Sequence, residues 1–243
     1  MSTFLTPPST PHIRTATASI ATAAAVALSV LAASLIPGTV LYSLVTAAGV
    51  ALGAASVIAA LRHRGHLRLF QWLSAIGGAI ILLIGIVVAV ARLGSSPMLL
   101  MAGLSASYFL MPSAVLACYI GGIAQLPTKW IVPAFLSTAG AGAAGWFSLG
   151  DSSGFEQFLI VVSALFSLIG CVYPVWVCVV KRPRHAAAWL IGLAAVILAA
   201  LMVYMISLVL LPGLLWVPPA VIAWGFMIPS VMATAAGLLT PKI

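Results

Sequence analysis

Acidic side chains are nearly missing from this sequence. Asp151 and Glu156 are the only two, against ten lysines and arginines, and asparagine does not occur at all. Charged residues make up 5% of the chain, where an ordinary soluble domain has about 25%. No Asp, Glu, Lys, Arg or His lies in the middle of a long apolar run. That excludes a carboxylate proton relay, a carboxylate cation site and haem held by two histidines within a bilayer. The two acids sit in one short loop, so no separated pair exists for acid–base hydrolysis. H-E-x-x-H, the phosphate-binding glycine loop and C-x-x-C are all absent.

Cysteine is scarce as well: Cys118, Cys171 and Cys178, each inside an apolar run. On a helix, Cys171 and Cys178 stand about 10 Å apart along the axis, too far for a disulfide. They read as small packing residues. No catalytic residue, cofactor or metal is expected. His63 and His66, three apart, are too few to hold a metal without ligands from elsewhere.

What is present is apolar surface, with 64% of the 243 residues hydrophobic. The fold class that follows is an all-α, polytopic membrane helix bundle. Residues 1–14 are polar and proline-rich and read as a disordered tail. Eight runs then follow, each long enough to cross about 30 Å of hydrocarbon. They fall near 15–36, 39–61, 69–92, 98–123, 129–149, 156–180, 186–211 and 216–239. The connections are short, and none is large enough to be a domain. The first run also resembles a signal peptide, but its apolar core is longer than such segments carry.

Charge sorts the loops. Arg14, Arg62, Arg64, Arg68, Lys129, Lys181, Arg182, Arg184 and Lys242 share one side if the count is eight. Arg92, Asp151 and Glu156 take the other. Positive loops stay in the cytoplasm, so both termini are expected there. The composition, rich in alanine and poor in lysine, points to a bacterial plasma (inner) membrane. Trp72, Trp130 and Trp189 fall near the expected cytoplasmic interface and Trp146 and Trp216 near the outer one, the depth indole prefers. Because the basic residues lie in loops between apolar runs, they read as orientation signals, and nucleic acid is not an expected partner.

Two stretches repeat 117 positions apart: "FLMPS" at 109–113 and "FMIPS" at 226–230. At the same offset Trp72-Leu73 falls on Trp189-Leu190, and the basic loops before them nearly coincide. These landmarks predict a 4+4 internal repeat with halves 15–123 and 124–243. Four spans per half is even, so the halves enter the membrane the same way round.

A proline in mid-helix removes a backbone donor and clashes one turn back, and the freed carbonyl needs a partner inside the protein. Phe109, Pro112, Ser113, Phe226, Pro229 and Ser230 are therefore the candidate hinge or pocket, with bends expected at matching depth. The alternative is a static kink that improves packing. A second candidate is the basic cluster Arg62, His63, Arg64, His66, Arg68, Lys181, Arg182, Arg184 and His185. Beyond setting topology, it would contact anionic lipid headgroups or an acidic partner. The functional expectation is a transporter or channel for a neutral or amphipathic, lipid-like molecule, passive or energised by a partner. The alternative is a non-catalytic subunit that scaffolds other membrane subunits.

Overall fold

The computed structural model describes residues 40, 47, 51, 53–58, 60, 61, 68–77, 79, 80, 109–122, 128–147, 153–181, 186–211, 217 and 219–239. The expected span 15–36, the tail, Arg92 and Asp151 lie outside these. The described residues are almost wholly helical, with no strand among them. Five helices have defined ends: α1 (Leu110–Ile120), α2 (Thr128–Phe147), α3 (Ser153–Lys181), α4 (Ala186–Leu210) and α5 (Pro219–Leu239). Helical residues also occur at 53–58 and 68–77. Helices α2 to α5 match four apolar runs of the sequence to within one turn.

Helix α1 departs from expectation. It has 11 residues and begins at Leu110, with Phe109 as its N-cap. Pro112 therefore stands in the first turn and not in mid-helix. There its missing N–H has no intrahelical acceptor to lose, and its fixed φ suits the helix. Of the two, it is Pro229, in the middle of α5, that removes an intrahelical bond. Two further prolines lie inside helices, Pro133 in α2 and Pro174 in α3. At its far end α1 stops at Gly121-Gly122. Gly122 has φ +65°, and its N–H bonds the Tyr119 carbonyl at 3.2 Å. That left-handed turn is cheap only for glycine.

Short α1 is the axle of the bundle. It touches each of the other four helices, while α2–α3, α3–α4 and α4–α5 pack as successive hairpins. Pro112 through Cys118 are buried without a break. Helices α2 and α3 approach closely because small residues line their seam. Ser163 Oγ donates to the Ser137 carbonyl at 2.7 Å, and the Ser137 and Ser167 hydroxyls bond each other. Small side chains with hydroxyls suit helices that meet in lipid, where hydrophobic driving force between them is absent.

The outer faces are apolar. On α3, Leu165, Ile169, Val172, Trp176 and Val179 form an exposed stripe at helical spacing. On α4, Trp189, Val196, Val203 and Leu210 recur every seven residues and are exposed too. Two helices, Gly154–Lys181 and Ala186–Leu210, are long and apolar enough to cross a membrane, with mean hydropathies of 2.3 and 2.8. Only 39% and 22% of their most apolar windows are buried, where the core helix of a soluble protein would be mostly buried.

Candidate functional site

The two Phe-x-x-Pro-Ser segments come together. Phe109, Leu110 and Ser113 of α1 and Pro229 of α5 line one small cavity, closed on the third side by Ala194, Ala195 and Leu198 of α4. Phe226, fully buried, lies in the same core cluster as Leu110, Leu198 and Met202. The alanines of α4 let α1 and α5 close on it, and no charged side chain lines the space. Its volume is about 10 Å³, on the order of the room one water molecule needs.

The serines differ in what they do. Ser113 Oγ donates to the Phe109 carbonyl at 2.7 Å, and Ser113 N–H bonds the same oxygen at 3.1 Å. It serves its own first turn. Ser230 Oγ is buried and has no partner among the described residues, although its backbone carbonyl accepts from Thr234 Oγ1 at 3.0 Å. Ser230 therefore does not cap the Gly225 carbonyl that Pro229 releases, one turn before it. Ser105 and Ser107 lie outside the described residues.

A residue that sequence reasoning passed over is Gln71. It is fully buried, and among the described residues neither its amide nitrogen nor its amide oxygen has a partner. Ser74, one turn on, is buried with an unpartnered hydroxyl, and so is Ser56. Unpaired buried polar groups each cost about 1–3 kcal/mol. The available signal was an amide inside "LFQWLSAIGG", visible once uncharged polar groups are searched for as well as ionisable ones.

The neighbour of Gln71 shows where this segment docks. The Phe70 ring occupies the place that a Cβ on Gly237 would take. Its cluster includes Val115 and Leu116 of α1, Ala187 and Ile191 of α4, and Ala236 of α5. A second cluster joins Ala117 and Cys118 of α1, Tyr173 and Val177 of α3, and Trp130 of α2. The end of α1, the start of α2, the end of α3, the start of α4 and the end of α5 therefore share one end of the bundle, together with residue 70.

That end carries the described basic residues. Arg68, Lys129 and Lys181 are all exposed there, and Lys129 Nζ lies 5.7 Å from the Trp130 ring. Glu156, the one acid among the described residues, is in the first turn of α3 at the opposite end. Trp72, Trp176 and Trp189 are each about two-fifths exposed near the basic end. Trp130 stacks on Tyr173 (centroids 5.6 Å), which stacks on Trp176 (6.0 Å), and Tyr173 Oη meets Cys118 Sγ at 3.1 Å. Arg62, His63, Arg64, His66, Arg182, Arg184 and His185 lie outside the described residues. Among the described residues no group of histidine, cysteine and acidic side chains could hold a metal.

No family model, curated protein or solved structure matches this chain.

Proposed function

We propose that the chain is a multi-pass membrane protein with eight spans in two parallel four-helix halves. It sits in a bacterial inner membrane with both termini in the cytoplasm. It moves a neutral or amphipathic, lipid-like molecule, passively or with a partner supplying energy. The membrane reading is supported by the long apolar helices α3 and α4, whose most hydrophobic windows stay largely uncovered by protein. Spans of 25 and 28 residues reach about 38 and 42 Å, enough for the hydrocarbon core and part of the headgroup layers. Orientation is supported by Arg68, Lys129 and Lys181 at one end and Glu156 at the other.

The transport reading rests on one observation: Ser113 and Pro229, 116 positions apart in sequence, face a single uncharged cavity at the axis of the bundle. A carrier of ions would place a charge there. The exposed cations and tryptophans at the basic end also fit contact with anionic lipid headgroups, Lys181 supplying charge and Trp176 and Trp189 the interfacial anchors.

Reconstitution tests the function. Proteoliposomes are assayed for glycerol entry by light scattering and for exchange of a fluorescent phosphatidylcholine between leaflets. Permeation of at least one faster than in protein-free vesicles is the expected result. Neither faster, with folded protein in the membrane, sinks the transport reading. A second reading is favoured by the small size of the cavity, which suits a packed scaffold subunit. It predicts that partner subunits co-purify from the native membrane in mild detergent and that both fluxes stay at background.

A further inference from the structure

The contact between Phe70 and Gly237 sets a register. The helical segment 68–77 starts at the basic end, and Ser74 and Gly77 are as buried as Phe70, so the segment runs into the bundle. Helix α5 ends beside Phe70, so the two run antiparallel. With a rise of 1.5 Å per residue, Gln71 lies about 1.5 Å inward of the crossing, Ser74 about 6 Å and Ser230 about 10 Å. Gln71 Nε2 and Oε1, Ser74 Oγ and Ser230 Oγ, buried with no partner among the described residues, thus stand at increasing depth from the basic end. The series stops beside Pro229, a wall of the cavity shared with Ser113.

Other buried hydroxyls among the described residues are paired. Ser113 and Thr234 each donate to a carbonyl one turn back, as do the less buried Thr138 and Ser207, and Ser137, Ser163 and Ser167 bond one another across α2 and α3. Among the described residues the unpaired groups therefore belong to segments 53–58 and 68–77 and to α5.

We propose that Gln71, Ser74 and Ser230 line the closed form of a path from the basic end to the Pro229 cavity. In its open form they receive a neutral solute group that both donates and accepts hydrogen bonds, a carboxamide or a hydroxyl. The chemistry follows from the lining: Gln71 offers two donors and an acceptor, each serine offers one donor and further acceptors, and none is charged. Closed, these groups face one another's helices dry. Opened, water or solute pairs them, so opening recovers what closure leaves unmade. What moves through the path rests on the transport reading, but whether the path opens to water does not.

The experiment uses the full chain in liposomes and a positively charged methanethiosulfonate reagent, which reacts with thiols that water reaches. Native Cys118, Cys171 and Cys178 are buried and set the background. Ser74→Cys and Ser230→Cys, nearly isosteric changes, are expected to label at least about ten-fold faster than that background. Gln71→Leu is expected to raise the Tm, because it removes unpaired amide atoms, and to slow glycerol entry wherever wild type shows it. Labelling of both cysteine variants at the native background rate overturns the path. So does a fall in Tm for Gln71→Leu, which would mean that the amide is paired. Fast labelling without solute flux leaves the path standing and removes transport; flux with background labelling does the reverse.

Discussion

Replacing Gly237 by alanine tests how the early helices dock on the bundle. A Cβ at this position meets three atoms of the Phe70 ring: Cζ at 2.6 Å, Cδ1 at 2.8 Å and Cε1 closer still. Helix propensity alone favours the change by about 1 kcal/mol. Against that, the ring has nowhere to retreat, since Phe70 is fully buried among Val115, Leu116, Ile191 and Ala236. If the helices part, overpacking costs about 1–3 kcal/mol. If the ring leaves instead, the loss approaches the roughly 3–5 kcal/mol of a phenylalanine truncated to alanine. After the propensity gain of about 1 kcal/mol, the net loss is about 0–2 kcal/mol if the helices part and about 2–4 kcal/mol if the ring leaves. Phe70→Leu shortens the obstructing side chain, so the double variant should lose less than the two single losses added. The coupling should be at least about 1 kcal/mol, well beyond the 0.3–0.5 kcal/mol scatter of independent sites. The assay is unfolding in mixed detergent micelles followed by circular dichroism. Gly237→Ala more stable than wild type, or single effects that simply add, would refute the contact and with it the register that sets the depths of Gln71 and Ser230.

Other outcomes follow from the seams and the prolines. Ser167→Ala removes the hydroxyl that meets Ser137 and should cost about 0.6 kcal/mol, the average for hydrogen bonds between membrane helices; Ser167→Leu should cost several times more by prising α2 from α3, and an unchanged melting curve would show that the seam is loose. Pro229→Ala restores a donor to the Gly225 carbonyl, so its Tm should match or exceed that of wild type while any measured flux falls. A lower Tm would mean that α5 is built around the proline. Cysteine at Gly154, near the acidic end of α3, should react with an impermeant thiol reagent added to intact cells, whereas cysteine at His66 or His185 should not. Labelling of either histidine position from outside would end the eight-span topology.

Much of this fold was legible in one dimension because long apolar runs follow a simple rule. Backbone groups must pair within each segment, so long apolar runs become helices, and α2 to α5 lie where hydropathy puts them. Loop charge also foretold that Arg68, Lys129 and Lys181 would collect at one end, because helices joined by short turns must alternate in direction. The prolines were legible as positions only. Sequence shows Pro112 and Pro229 in matching words, yet one begins a short helix and the other interrupts a long one, and no local pattern distinguishes the two. That the two segments share a cavity depends on which helices become neighbours. Small residues decide that through close approach: Gly237 admitting Phe70, Ser137 meeting Ser163 and Ser167, Ala194 and Ala195 between α1 and α5. Gln71 is the clearest case of what only the fold decides. Along the chain it is one amide among apolar residues. Buried, with neither end of its amide paired among the described residues, it becomes a group in search of a partner, because hydrogen bonding is settled by neighbours in space and not by neighbours in sequence.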